Sequence, residues 1–477
     1  MRHRHQPNDT LTVTISDPNQ SVTLLGDPGL PTGGWGGNDS LSATITNFGS
    51  VANLVGEDET MHGNSRGGDD TLVATISAAT SVAFVWGDAS VAMYDHSRGG
   101  NDAITLTDGG GYSSSVLVGD AEAMFDRAHG GNDTIKVTAT LVSASFAVAN
   151  PVLDGDASSS MSGHTKGGDD TLIAVTHTVG GNGGGVTLNG DAGGDMTDMA
   201  HAGNDALTAT MDGGQTSALL RGDAGGDMTD SVHGGNDTLA VTILSGQFNA
   251  GYLSGDAGGS MTGTAHGGND TLTATVNGQE LIGSLTFLSL SGDAGLSIDD
   301  KAYGGDDILT VEASYSQELF YQDQVFLFGD APNMSGRAHG GNDVLNGGGY
   351  ADFLYGDAQN YAPSAPGSIT GGKDTLNGGE GDDQLWGGPN NDKFVFKAGS
   401  GNDTIWDFDK GNLAVGSTAA EHDVIDVHGY GFKNWNALRA VIQDDGSGNA
   451  VVHLSANDTI TIVGVATAHL HASDFVV

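Results

Sequence analysis

The sequence predicts an all-β chain, a parallel β-roll (β-solenoid) of about eleven coils closed by a C-terminal capping domain. Three observations predict it. Gly-Asp, usually followed by Ala, recurs from Gly26, Gly56 (as Gly-Glu-Asp), Gly87, Gly119, Gly155, Gly190, Gly222, Gly255, Gly292, Gly329 and Gly356, with gaps of 27 to 37 residues. A second anchor, Gly-Gly-Asn/Asp-Asp, begins 10 to 12 residues after the first. Around both anchors apolar residues alternate with polar ones, the period of a strand with one buried face. Self-similarity at such a period marks stacked repeats.

In chain order, a coil starts after its second anchor. Two residues past the final Asp stand Leu41, Leu72, Ile104, Ile135, Leu172, Leu207, Leu239, Leu272 and Leu309. Four residues past it stand Ala43, Ala74, Leu106, Val137 and their counterparts, with Thr or Ser mostly between. This is one strand. A second strand precedes each Gly-Asp, where Leu24, Leu54, Val85, Leu117, Leu153 and their successors fall two residues before the Gly. Each coil buries its apolar face only against its neighbours, the logic of a solenoid. Residues 8–15 already match the first strand, so the roll is expected from about residue 8, after a tail at 1–7. Expanded coils of 30–37 residues fill 8–340, and tighter nonapeptide coils fill 341–396. Residues 378–386 match G-G-x-G-x-D-x-U-x in full, whereas 347–355 and 387–395 carry Tyr350 and Asn390 in place of the third Gly. The remainder, 397–477, reads as a cap that seals the last open edge. It has a short helix expected at 434–442 and strands at 450–454 and 459–463.

Composition narrows the chemistry. The chain has 79 Gly, 60 Asp+Glu, 16 Lys+Arg and no Cys, for a formal net charge of -44. A disordered acidic tail is excluded by the 37% of hydrophobic residues and their ordered pattern. Nucleic acid and anionic membranes meet the wrong sign of potential. No apolar run approaches a membrane span, and the first residues do not read as a secretory signal peptide.

Carboxylates in such number need counter-cations, and oxygen ligands favour Ca²⁺ over Zn²⁺. The glycines let carbonyls converge, and Asp supplies a short anionic oxygen at the end of the turn. The expected ligands are the final Asp of each second anchor: Asp39, Asp70, Asp102, Asp133, Asp170, Asp205, Asp237, Asp270, Asp307 and Asp343. Asp374, Asp383, Asp392 and Asp403 continue the series. The Asp of each Gly-Asp follows: Asp27, Asp88, Asp120, Asp156, Asp191, Asp223, Asp256, Asp293, Asp330 and Asp357. Calcium on the order of 10–20 ions would neutralise most of the charge, and folding should depend on it.

Other repeats have plainer readings. Met61, Met93, Met124, Met161, Met196, Met228, Met261 and Met334, with Ile298 once, read as a buried ladder under the long turn. His129, His201, His233, His266 and His339 share a slot with Arg66, Arg98, Lys166 and Tyr303, a mixture that suggests polar tips and not metal ligands. Thr14, Thr44, Thr75, Thr107, Thr138, Thr210, Thr242 and Thr275 form an outward column, interrupted by Val175 and Glu312. Gly63 to Gly67 fits G-x-S-x-G, but it lies in a turn and joins no strand to a helix.

These motifs resemble the repeats-in-toxin (RTX) family of hemolysin-type calcium-binding repeats, tightly over 340–405 and as an expanded variant over 8–340. The C-terminal region, with Gly401-Asn402-Asp403-Thr404-Ile405, Asp407-Phe408, Asp423-Val424-Ile425-Asp426 and Asp474-Phe475-Val476-Val477, is similar to that of the serralysins. The resemblance implies type I secretion from a Gram-negative bacterium to the cell surface or medium, without a cleaved signal. The sequence lacks the His-Glu-x-x-His of a metalloprotease. The expected function is therefore non-enzymatic: a secreted calcium-binding structural protein that folds on calcium and self-associates through its first coil. An ice-binding or adhesive rod is one alternative, and an enzyme acting on polysaccharide is another.

Overall fold

The computed structural model describes residues 5–477 except 112, 143–149, 180–183, 247, 278–284, 315–323 and 350. Residues 1–4 of the expected tail, and Tyr350 of the nonapeptide match, lie outside the described residues.

Two long sheets share one apolar core. Among the described residues the first has fifteen strands, from Thr10–Ile15, Ser40–Ile45 and Thr71–Ile76 to Val424–Asp426 and Phe475–Val476. The second has sixteen, from Ser21–Leu25 and Val51–Val55 to Asn402–Ile405 and the cap strands. Each strand pairs in parallel with its counterpart one coil away. The alternation in the sequence is the cause. In Ser40–Ile45, Leu41, Ala43 and Ile45 are buried and the residues between them are not. Leu41 sits in register between Leu11 and Leu72, so equivalent side chains stack along the rod. The molecule is thus the parallel β-roll expected.

The long turn between the anchors is itself a third side of the coil. Short parallel strands Asp58–Met61, Ala89–Met93, Ala121–Met124 and Ala157–Met161 form a ladder. Single bridges carry it through Met196 and Met228 to Met261. Ser260–Met261, Ser297–Ile298, Asn333–Gly336 and Asn360–Pro363 then complete it. The methionines stack at 0–1% exposure with Ala89, Ala121, Ala157 and their successors, forming a second core apart from the first. The methionine column is therefore buried, as its spacing predicted.

The cap changes pairing direction. Thr459–Ile462 adds in parallel to Asn402–Ile405, then Ala450–His453 and Ile442–Asp444 add antiparallel. The expected helix is Trp435–Arg439, its first turn held by Asn434, whose side chain accepts the Ala437 N–H. Trp435 packs on Phe475 with ring centroids 5.4 Å apart. At the other end Leu11, Val13, Val22 and Leu24 are only partly buried, because those strands have a neighbour on one side only.

Candidate metal site

The second-anchor aspartates form one continuous column along an edge of the roll. Each sits where the turn becomes a strand, and its backbone N–H donates to Oδ1 of the next. Asp39 donates to Asp70 at 2.6 Å, Asp102 to Asp133 at 2.6 Å and Asp237 to Asp270 at 2.7 Å. The chain of bonds runs on from Asp343 to Asp374 (2.8 Å), Asp374 to Asp392 (3.0 Å) and Asp392 to Asp423 (2.9 Å). The same bonds link Asp70, Asp170, Asp205 and Asp307 to their successors. The second oxygen, Oδ2, has no protein partner in any of these residues from Asp39 to Asp392. They are at most 3% exposed. A buried carboxylate oxygen without a partner is costly, and a row of them requires an occupant.

The first-anchor aspartates form a companion column. They accept from the second glycine of the following anchor: Gly37 to Asp27 at 2.6 Å, Gly100 to Asp88 at 2.9 Å, Gly268 to Asp256 at 2.9 Å and Gly341 to Asp330 at 2.9 Å. Asp120, Asp156, Asp191, Asp223, Asp293 and Asp357 repeat the contact. From Asp88 to Asp357 these residues are wholly buried.

The two columns interleave. Carboxylate oxygens of Asp191, Asp205 and Asp223, drawn from two successive coils, lie within 4.8 Å of one another. A Cβ on Gly190 would overlap both Asp205 Oδ2 and the Gly222 carbonyl oxygen. The carbonyl therefore converges on the same carboxylate, and only glycine leaves it room. Burial is the main force that raises these carboxyl pKa values, with like charge from neighbours second. Asp39 is pushed up to about 6, Asp70 and Asp170 to about 8, and Asp330 to about 7. Asp102, Asp205 and Asp270 are held well above the ordinary range for the same reasons. The donor set is entirely hard oxygen, carboxylate plus carbonyl, which fits calcium and offers nothing to a softer metal.

Asp383 and Asp403 do not belong to that column. With Asp352 they form a separate one within the second sheet. Asp352 N–H donates to Asp383 Oδ1 at 2.9 Å, and Asp383 N–H to Asp403 Oδ1 at 3.0 Å. Oδ2 is unpartnered in all three. Burial raises them to about 8, 9 and 7 respectively.

Three positions were missed from sequence. Asp352 is the Asp of the 347–355 nonapeptide, so its signal was present. Glu57 occupies the first-anchor column, fully buried, and accepts from Gly68 N–H. Asp58, beside it, instead accepts from Gly29 and Leu30 N–H at 2.9 and 3.0 Å. Asp423 ends the main column, where its Oδ2 accepts the Asp409 N–H at 2.6 Å.

The remaining motifs have structural partners. The histidine slot is a parallel ladder of bridges running from His5 and Trp35 through Arg66, Arg98 and His129 to His339 and Thr370. His201, His233, His266, Tyr303 and His339 stack with ring centroids 4.5–5.1 Å apart. Ser65 of the G-x-S-x-G match is buried, and its hydroxyl donates to the His62 carbonyl at 2.5 Å.

Residues 338–360 and 369–405 match the family model of the RTX calcium-binding nonapeptide repeat, in four copies. No curated protein and no solved structure matches the chain. The chain is thus a calcium-binding β-roll protein that carries RTX repeats, and the carboxylate column of those repeats continues unbroken into the longer coils before them. No helix among the described residues is long and apolar enough to cross a membrane.

Proposed function

We propose that this chain is a secreted structural rod whose fold is conditional on calcium. The unpartnered Oδ2 column carries the reading. Each ion would lie between successive coils. Its ligands would be one second-anchor Asp, the first-anchor Asp of the same coil and of the next, and the first-anchor Gly carbonyl of the next coil. On the order of 10–20 ions would fill the rod. Asp352, Asp383 and Asp403 would hold the ions of the other column. Calcium would supply charge neutralisation and cross-linking between coils, and no bond chemistry.

Without metal the columns oppose the stack. Ionised neighbours about 4.8 Å apart repel by about 3–4 kcal/mol per pair at an effective dielectric of about 20. A dozen such pairs exceed the ~5–15 kcal/mol that holds a domain together. The chain would therefore stay unfolded in low-calcium cytosol and fold outside. The serralysin-like C-terminal region supports type I export from a Gram-negative cell to its surface or matrix. Repeats and cap account for the described residues, which favours a filament or surface-layer role over an enzyme. The partly exposed Leu11 and Val13 at the first coil favour end-to-end association.

Far-UV circular dichroism with and without a strong calcium chelator tests the reading. Loss of the β signal on chelation is expected, and the same signal in both would sink it. Light scattering in millimolar calcium tests association, where a strict monomer would count against self-assembly.

A further inference from the structure

Where the third side turns toward the carboxylate edge, the later coils carry a groove of about 600 Å³. That volume is within the range of ligand sites. Two rows of positions line it, with one residue of each row per coil. The first row is Asp230, Gly263, Asp300 and Gly336, all in left-handed backbone with φ between 60° and 75°. The second is Ser231, Thr264, Lys301, Arg337 and Ser364, on five successive coils, so the groove runs about 19 Å along the rod. Its floor is fixed by bonds between coils. Thr264 N–H donates to the Asp230 carbonyl at 2.6 Å, Lys301 to Gly263 at 3.0 Å, Arg337 to Asp300 at 2.6 Å and Ser364 to Gly336 at 2.8 Å.

In earlier coils the same corner is engaged with itself. Asp95 Oδ2 accepts the Gly63 N–H at 2.9 Å, Asp126 Oδ2 the Asp95 N–H at 3.3 Å and Asp198 Oδ2 the Gly163 N–H at 3.1 Å. Asp230 and Asp300 share that backbone conformation, yet their carboxylates take no hydrogen bond or ion pair among the described residues. The side chains of Lys301 and Arg337 take none either, and all four are exposed. Asp299, next to the groove, is already held by the hydroxyls of Ser297 and Ser335.

Two acids and two bases leave the groove without net charge, so an ion of either sign meets an opposing neighbour. The surrounding chain, at net charge -44, further disfavours a polyanion. An extended peptide would seek main-chain partners, but the carbonyls of the first row already accept from the next coil. Free carboxylates accept and free cationic side chains donate, which suits an uncharged ligand rich in hydroxyls. The geometry points to a neutral glycan laid along the rod axis, its hydroxyls donating to Asp230 and Asp300 and accepting from Lys301 and Arg337. The sugar repeat of an extended glycan is close to the coil spacing, so successive sugars meet successive coils. Gly263 and Gly336 alternate with the two aspartates and leave room between them for the sugar rings. Such a groove would fasten the rod to uncharged polysaccharide. It requires the calcium-folded rod but neither a particular export route nor end-to-end association.

The test is binding of the full chain, in millimolar calcium, to immobilised short oligosaccharides, with fold checked in the same samples by circular dichroism. Neutral β-linked glucan, xylan and chitin oligomers are the probes, and oligoguluronate and oligoglucosamine are the anionic and cationic comparators. Saturable binding is expected for at least one neutral class and for neither comparator. Asp300→Ala and Arg337→Ala should each weaken it by about tenfold, the loss of one hydrogen bond to a charged group. Arg127→Ala, in the same row but outside the groove, should leave it unchanged. All three side chains are exposed, so the β signal should be that of the native chain. A folded chain that binds no neutral oligomer would overturn the proposal. So would preference for oligoguluronate, or binding indifferent to both Asp300→Ala and Arg337→Ala.

Discussion

The expanded coils and the nonapeptide coils solve the same stacking problem with different materials. Before about residue 340 each coil has a carboxylate column on one edge and a third side with its own methionine–alanine core. After residue 343 the third side ends within two coils, and a second carboxylate column, Asp352–Asp383–Asp403, appears. Apolar burial is present with or without metal, whereas a carboxylate column is favourable only when its charge is neutralised. The lengthened repeat therefore replaces one line of metal dependence with one line of hydrophobic core.

The largest expected effect is that of chelation. The β signal should collapse, and hydrogen exchange should reach amides of 344–405 at higher residual calcium than those of 82–137. Equal protection in both regions throughout the titration would break the contrast.

Acid should partly substitute for calcium. A carboxyl whose pKa is higher folded than unfolded binds more protons in the folded chain. Its contribution therefore favours folding below the unfolded value near 4 and is lost as pH rises through the folded value. For Asp39, Asp330, Asp70 and Asp383 that window spans about 6, 7, 8 and 9. In chelator, β structure should persist near pH 4 and vanish by pH 9, as followed by circular dichroism. A chelated chain that gains structure with rising pH would contradict the buried-carboxylate assignment.

Met228→Ala removes a fully buried side chain of the second core. It should cost about 2–5 kcal/mol in calcium-loaded unfolding while leaving calcium stoichiometry, measured by equilibrium dialysis, unchanged. Asp237→Asn should act in the opposite sense. It keeps the Oδ1 acceptor for Asp205 N–H but removes a charge, so it should lower calcium stoichiometry and slightly stabilise the chelated state. The smallest effect is expected from His233→Ala in the exposed ladder, within about 0.5 kcal/mol by thermal unfolding.

Much of this was legible in the sequence because a solenoid stacks equivalent positions, so periodicity in sequence becomes contact in space. The anchors, both sheet faces and the methionine ladder follow from spacing alone. Two substitutions broke legibility. Gly-Glu-Asp leaves open whether Glu57 or Asp58 takes the column, and only the turn's depth seats the longer side chain inside. Asp423 follows no Gly-Gly pair, yet the parallel pairing of Val424–Asp426 with Lys393–Val395 brings it next to Asp392.

The sequence by itself determined the repeat, the acidic columns and the oxygen-only donor set, because each is a local pattern copied from coil to coil. The tertiary structure alone decided which aspartates share a column, that Glu57 and not Asp58 enters it, and that Asp352, Asp383 and Asp403 form a second one. Those relations depend on how far each coil turns before it meets its neighbour, and residue spacing does not encode that distance.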